Sequence, residues 1–209
     1  MTDGKIRILI ADDHSIVRMG LATLLEMEDD FELVGQSANG KAAVADALRL
    51  KPDVVVMDLM MPVLDGVEAT AEIMGKMPEV KIVLFTTFPT SDLIAKALGY
   101  GAKGVVFKSA ADTELVTAIR TVASGKPYIS PSVAKLLASD PPIEPLTHRQ
   151  SEILESISRG LSNSDIAKEL GITPTAVREH TIALFQKLRA ANRTEATAIA
   201  LRKHLLPDP

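Results

Sequence analysis

Five polar residues stand where apolar runs of the sequence end, and their types could do chemistry together. They are Asp12, Asp13, Asp58, Thr86 and Lys108. A carboxylate is costly to remove from water alone, so Asp58, which follows the run VVVM, marks either a solvated strand end or a site kept for chemistry. Three neighbouring carboxylates repel one another and favour a hard cation such as Mg²⁺. Lys108 and Thr86 could then bind an anion that forms at Asp58.

Residues 1–128 alternate short apolar runs with helical patterns, and this alternation explains how the five residues meet. Predicted strands cover 6–11, 33–37, 54–58, 81–86 and 104–108, and predicted helices cover 17–27, 41–50, 67–77, 91–101 and 113–125. Strict alternation with nearly continuous apolar strands predicts an α/β fold, a parallel sheet covered on both faces. In such folds ligands bind at the carboxyl ends of the strands, where all five residues are expected.

The expected anion at Asp58 is a phosphoryl group. A carboxylate attacks phosphorus when a metal ion and an ammonium offset the negative charge of both partners. Standing alone, the pair Asp12 and Asp13 could simply cap the first helix, and Lys108 could be a solvated loop residue. His14 is expected to be a surface polar residue rather than a ligand. All five residues in order on suitable strands favour a phosphoryl site.

With these residues in place, 1–128 resembles the receiver domain of bacterial two-component response regulators. The resemblance implies a flavodoxin-like, five-stranded sheet of order 2-1-3-4-5. It also implies that Asp58 accepts phosphate from a histidine kinase and binds Mg²⁺ together with Asp12, Asp13 and the backbone carbonyl of Met60. Phosphatases with an aspartate nucleophile are disfavoured, because they resemble one another in having an acid-base aspartate at the position of Met60.

The chain beyond the first domain changes character. Residues 129–145 contain four prolines and are interpreted as a linker with one short helix. Residues 146–209 show helical patterns only, at 147–160, 162–170, 173–188 and 193–206. Ser162 and Thr173 suit N-caps and Gly171 suits a C-cap, so a tight turn joins two short helices. This arrangement predicts a second, all-α domain with a helix-turn-helix.

The helix at 173–188 has the features of a DNA-reading helix. Val177, Leu184, Phe185 and Leu188 form its apolar stripe, and Arg178, His180, Thr181 and Lys187 are expected largely off it. Residues 146–206 resemble the LuxR-type helix-turn-helix, so the whole chain resembles the NarL/FixJ family of response regulators. By that resemblance Glu179 and Ile182 also face the groove. Arginine at 178 could address a phosphate or a guanine edge.

Composition limits the remaining possibilities. The chain has 209 residues, 46% of them hydrophobic, and no cysteine, which excludes disulfides and thiolate chemistry. Residues 1–128 carry a net charge of −5 and residues 146–209 a net charge of +2, so the acidity lies in the first domain. No apolar run is long enough for a membrane span and no signal segment begins the chain. We expect a cytoplasmic regulator without membrane partners and without enzyme activity.

Three further expectations concern control. A stripe at Ala198, Leu201 and Leu205 either packs within the second domain or forms a homodimer surface, which the family favours. Met60 and Phe88 would flank the path of an attacking water, and neither can orient it, so the phosphorylated state should be long-lived. Val105 replaces the family's usual aromatic switch, which predicts a modest gain in promoter DNA affinity on phosphorylation. The alternative is a regulator that acts through protein contacts without DNA.

Overall fold

The computed structural model describes residues 4–87, 89–203 and 205–206. The chain forms two compact units, residues 1–141 and residues 142–209. Among the described residues, no helix is both long enough and apolar enough to cross a membrane.

The first unit alternates strands and helices as predicted. Its strands are β1 (Ile6–Ala11), β2 (Phe31–Ser37), β3 (Val54–Met57), β4 (Lys81–Thr86), β5 (Gly104–Phe107) and β6 (Tyr128–Ile129). Its helices are α1 (Ser15–Glu26), α2 (Gly40–Leu50), α3 (Gly66–Lys76), α4 (Ser91–Gly99), α5 (Asp112–Ala123) and α6 (Pro131–Ser139). The sheet is parallel throughout, with strand order β2-β1-β3-β4-β5-β6. The predicted α/β class and the order 2-1-3-4-5 are therefore confirmed, with one strand added.

Both faces of the sheet are covered, because the central strands alternate their apolar side chains between two cores. One core holds Leu9, Val55 and Leu84 with side chains of α2, α3 and α4. The other holds Ile8 and Val56 with side chains of α1 and α5. With apolar packing on both faces, the polar ends of the strands are left at the sheet's edges.

The predicted linker, 129–145, contains the short helix that was expected, but its first part is not a free connection. Residues 128–139 form β6 and α6, and both belong to the first unit. Pro131 occupies the first turn of α6, where a missing N–H costs nothing, and Ser130 caps the helix by accepting a hydrogen bond from the Val133 N–H. Val133 is fully buried in the first core. The connection between units therefore begins near Pro141 rather than at residue 129.

The second unit is helical, and the all-α second domain is confirmed. Its helices are α7 (His148–Ser158), α8 (Asn163–Leu170), α9 (Pro174–Leu188) and α10 (Arg193–Arg202). Its core takes side chains from all four helices. The last helix ends at Arg202 rather than at residue 206. His204, within the predicted helix, lies outside the described residues.

Candidate functional site

The strand ends bring the predicted polar residues to one edge of the sheet. Asp12 directly follows β1, Asp58 directly follows β3, and Lys108 directly follows β5. The Asp58 N–H donates to the carbonyl of Ala11 at 2.8 Å, which fixes the end of β3 beside the end of β1. The Lys108 N–H donates to the carbonyl of Thr86 at 2.9 Å, which does the same for β4 and β5.

Lys108 is the counter-ion of this edge. Its ammonium lies 2.5 Å from Asp12 Oδ2 and 2.6 Å from Asp58 Oδ2, and its side chain is only 11% exposed. Both contacts are ion pairs, and the contact with Asp58 is also a hydrogen bond. Burial by itself would lower the pKa of Lys108, but the contacts with the two carboxylates outweigh it and raise that pKa. The lysine is therefore charged at neutral pH.

The carboxylates fit a divalent cation. Asp12, Asp13, His14 and Asp58 each offer one ligand atom, and these atoms lie within 4.8 Å of one another. Asp12 Oδ2 and Asp13 Oδ1 are buried and make ion-pair contacts with Lys108 and His14, but neither accepts a hydrogen bond. Their lone pairs remain open to a metal. Three carboxylates against one ammonium also leave two negative charges, which a divalent ion would neutralise.

His14 is exposed, as expected for a surface residue, but its ring also contacts the acidic cluster. Its Nδ1 is 2.7 Å from Asp13 Oδ1 and 3.5 Å from Asp12 Oδ1, yet its side chain remains 67% exposed. The backbone N–H of His14 also donates to Asp12 Oδ1 at 2.9 Å, which holds the start of α1 against the carboxylate. His14 therefore orients the acidic pair while most of its ring faces solvent.

Thr86 is fully buried, and in the described part of the chain its Oγ1 has no hydrogen-bond partner. A buried hydroxyl without a partner is unusual and costs free energy. Thr86 ends β4, and its carbonyl accepts the hydrogen bond from the Lys108 N–H, so the hydroxyl belongs to the same end of the sheet. A phosphoryl oxygen is the kind of acceptor that could use it.

The residues predicted to flank the acceptor are only partly described. Met60 is 49% exposed, and its N–H donates to Asp58 Oδ1 at 3.3 Å, so the Asp58 carboxylate contacts its own loop as well as Lys108. Phe88 lies outside the described residues. Val105 is fully buried in β5, and its carbonyl accepts a hydrogen bond from the Ser130 N–H at 3.0 Å.

Sequence reasoning missed the residues that hold the loop after Asp58. A side chain at Gly66 would place its Cβ 2.0 Å from the carbonyl oxygen of Asp58, so only glycine allows α3 to begin there. Gly40, at the start of α2, donates its N–H to the carbonyl of Leu64 at 3.1 Å. Asp65-Gly66 and Asn39-Gly40 are both dipeptides typical of turns, but neither indicates that the start of α2 contacts the loop after Asp58.

The second unit contains the predicted helix-turn-helix in α8 and α9. Ser162 and Thr173 cap the two helices by accepting hydrogen bonds from the N–H groups of Asp165 and Ala176. Gly171 ends α8 in the left-handed conformation, with φ 65°. These caps set the short turn and leave one side of α9 open to solvent.

The exposed side of α9 carries most of the predicted DNA contacts. Arg178 and Glu179 are exposed, Ile182 is 50% exposed, and His180 is half-buried. Thr181 differs from the prediction, because it is buried and its hydroxyl donates to the carbonyl of Val177 at 2.7 Å. That bond satisfies the hydroxyl inside the core, so threonine can stand on the apolar stripe.

Lys187 and Arg178 lie on opposite sides of α9. They are nine positions apart, about two and a half helical turns, whereas Lys187 is seven positions after His180, about two turns, and shares its side. Its Nζ donates to the carbonyl of Pro145 at 2.8 Å, and its side chain is half-buried. Because an ammonium has three donors, this bond leaves two N–H groups of Lys187 for a phosphate.

The stripe predicted on the last helix divides into two parts. Leu205, beyond the end of α10, is half-buried and packs against the core of the second unit. Ala198 is exposed and Leu201 is 62% exposed. Packing within the second domain is therefore confirmed for Leu205, whereas a homodimer surface at Ala198 and Leu201 stays a prediction.

Comparison with known proteins agrees with both units. Residues 8–120 match the family model of the response regulator receiver domain, and residues 144–200 match that of the bacterial regulatory proteins of the luxR family. The transcriptional regulatory protein LiaR of Bacillus subtilis is 38% identical over 209 residues, covering 96% of this chain and 99% of LiaR.

Solved structures give the same result. The RcsB response regulator of Salmonella typhimurium is similar with a TM-score of 0.73 at 26% identity, covering 93% of this chain and 98% of that one. A complex of RcsB with DNA is similar with a TM-score of 0.72 at 25% identity, covering 95% and 99%. The paired family matches and the nearly full-length similarity to LiaR place this chain in the NarL/FixJ family of two-component response regulators, with a receiver domain followed by a LuxR-family DNA-binding domain.

Proposed function

We propose that this protein is a transcription regulator whose DNA binding is controlled by phosphorylation of Asp58 by a histidine kinase. The observation that supports it most is the contact of Asp58 with Lys108 inside a cluster of carboxylates. A purely structural ion pair needs one carboxylate, whereas this cluster has two acidic groups in addition to Asp58.

The transfer follows from the chemistry of these groups. The Asp58 carboxylate attacks the phosphorus of a phosphohistidine, the new O–P bond forms as the P–N bond breaks, and the imidazole leaves with the electron pair of that bond. Lys108, already 2.6 Å from Asp58, exchanges its carboxylate contact for the phosphoryl oxygens. The Thr86 hydroxyl donates to the same group, which would satisfy its unused hydrogen bond.

Magnesium is the cofactor that suits the acidic cluster. Asp12, Asp13, Asp58 and the carbonyl of Met60 would hold it, as oxygen ligands do for this ion. Bound there, it supplies the positive charge that offsets a carboxylate and a phosphoryl group in contact.

The DNA-binding role rests on α9 and its exposed residues. We assign Arg178, Glu179, His180 and Ile182 to the major groove. Lys187, near the C-terminal end of α9 and opposite Arg178, is assigned to a phosphate. The RcsB complex with DNA supports this docking mode. Exposed Leu201 on α10 favours a homodimer, which would place two α9 helices on two half-sites. We place the protein in the cytoplasm, where bacterial promoter DNA lies.

A selection of bound fragments from the source genome, followed by anisotropy titrations, tests this function. The wild type, treated with acetyl phosphate and Mg²⁺, should bind selected fragments more tightly than the untreated protein. Because Val105 is too small to act as an aromatic switch, we expect a modest gain. Asp58→Asn should show no gain. Failure of the wild type to bind any fragment would support the alternative, a regulator that acts through protein contacts.

A further inference from the structure

The loop between Asp58 and α3 contains a strained turn. Val63 has φ 73°, in the left-handed region that a β-branched residue rarely adopts. The N–H of Leu64 donates to the carbonyl of Pro62 at 2.9 Å, which closes a three-residue turn around Val63. Val63 is 79% exposed, so its own side-chain packing does not hold this conformation. The turn must therefore be stabilised by contacts with neighbouring residues.

The start of α2 makes one such contact. The Gly40 N–H donates to the carbonyl of Leu64 at 3.1 Å, and Gly40 itself is buried. At the other end of the loop the Gly66 N–H donates to the carbonyl of Leu59 at 2.9 Å. The strained turn is thus held between two backbone hydrogen bonds, one of which comes from a helix outside the loop.

The approach of α2 to the loop is too close for any residue but glycine. A Cβ at position 40 would lie 2.2 Å from the Leu64 oxygen and 2.9 Å from its carbonyl carbon. Real Cβ contacts essentially never fall below 3.0 Å, so the loop or the helix would have to shift by at least 0.8 Å. The atom in the way belongs to the backbone, so a change of rotamer cannot relieve the clash.

We infer that Gly40 is a positioning residue of the phosphoacceptor site, acting through the turn at 62–64 on the loop that carries Met60 and on Asp58 at its base. This inference rests on the proposed function. A displacement of about 1 Å in a group that orients reactants can cost about a hundredfold in rate. Gly40 therefore sets both the Mg²⁺ affinity and the rate of phosphorylation, although it lies 18 residues before Asp58.

Gly40→Ala in the full chain tests the inference. Mg²⁺ affinity is measured by calorimetry, and phosphorylation by acetyl phosphate is followed by intact mass at saturating Mg²⁺. We expect Mg²⁺ binding about tenfold weaker and phosphorylation about 10- to 100-fold slower. Gly75→Ala is the matched control, because a Cβ at Gly75 in α3 meets nothing within 4 Å. It should bind Mg²⁺ and accept phosphate like the wild type.

The two readouts separate positioning from mere stability. Thermal melting identifies conditions under which Gly40→Ala is fully folded; normal Mg²⁺ affinity and a normal rate under those conditions would overturn the inference. Magnesium binding is measured apart from phosphorylation. A wild type that binds Mg²⁺ but takes no phosphoryl group would therefore contradict the proposed function, and Gly40 would be judged on Mg²⁺ affinity alone.

A gentler pair of variants covers the case in which Gly40→Ala does not fold. Asn39 caps α2 by accepting from the Ala42 N–H at 2.8 Å, and Asn192 caps α10 by accepting from the Glu195 N–H at 2.9 Å. Asn39→Ala loosens the helix start that donates to Leu64 and should weaken Mg²⁺ binding about threefold, whereas Asn192→Ala should leave it unchanged. Equal Mg²⁺ affinities in the two variants would overturn the inference.

Discussion

Replacing Lys108 by methionine should make the first unit strongly dependent on a divalent cation. The lysine neutralises Asp12 and Asp58, whose side chains are 2% and 5% exposed. Removing one partner of a buried ion pair costs about 3–5 kcal/mol, because the other charge is left without compensation. Since Lys108 retains 11% exposure, we take the lower end, about 3 kcal/mol. In a unit of this size that free energy corresponds to a fall in melting temperature of about 10 °C.

Calorimetry in EDTA and in Mg²⁺ measures this effect. In EDTA the Lys108→Met variant should melt about 10 °C below the wild type. Added Mg²⁺ should stabilise the variant more than the wild type, because the cluster then has no competing ammonium. Lys103→Met is the control: Lys103 is exposed just before β5, and its loss should change the free energy of unfolding by at most about 0.5 kcal/mol.

The pH dependence of the stability difference between the wild type and Lys108→Met tests whether the charge of Lys108 causes it. The folded-state pKa of Lys108 is raised above its ordinary value of 10.5, so its stabilising effect is complete below that pH. It is lost only as the pH rises through the raised pKa. The difference between wild type and variant should stay constant at neutral and mildly alkaline pH. Equal melting temperatures in EDTA, or a difference that disappears near neutral pH, would refute this account of Lys108.

Three other variants test the remaining features. Arg178→Glu should weaken DNA binding about 5- to 150-fold in titrations, because a contact of about 1–3 kcal/mol is lost. Arg202→Glu on α10 is the control and should bind DNA like the wild type. Equal affinities of the two variants would mean that α9 does not enter the groove. Met60→Asn combined with Phe88→Glu should speed the loss of phosphate, because polar side chains can orient the attacking water. Intact mass follows this loss, and an unchanged lifetime of the phosphorylated protein would contradict the role given to Met60 and Phe88. Leu201→Glu should reduce dimer formation in sedimentation runs, and an unaltered dimer would place the interface elsewhere.

The sheet and its polar edge were predictable because both depend on local pattern. Apolar runs of strand length predicted buried parallel strands, and the carboxyl ends of such strands must lie at one edge. Asp12, Asp58 and Lys108 therefore came together in prediction as they do in the structure. The predicted chemistry depends on the charges of these three side chains, which are known from the sequence.

Other features were not predictable from local pattern. A short helix was expected within the linker and is present as α6, but its packing on the first unit, shown by the burial of Val133, was not expected. Thr181 was expected off the core because hydroxyl groups prefer water, but its bond to the Val177 carbonyl removes that cost. Gly40 acts through a backbone contact with a residue 24 positions away, which no local pattern contains.

The most direct test of the central claim is the intact mass of the protein after incubation with acetyl phosphate and Mg²⁺. The wild type should gain one phosphoryl group, and the gain should disappear when EDTA replaces Mg²⁺. Asp58→Asn should gain none, because Asp12, the other carboxylate that contacts Lys108, is assigned to the metal. A phosphorylated Asp58→Asn variant, or a wild type that remains unmodified, would contradict the assignment of Asp58 as the phosphoacceptor.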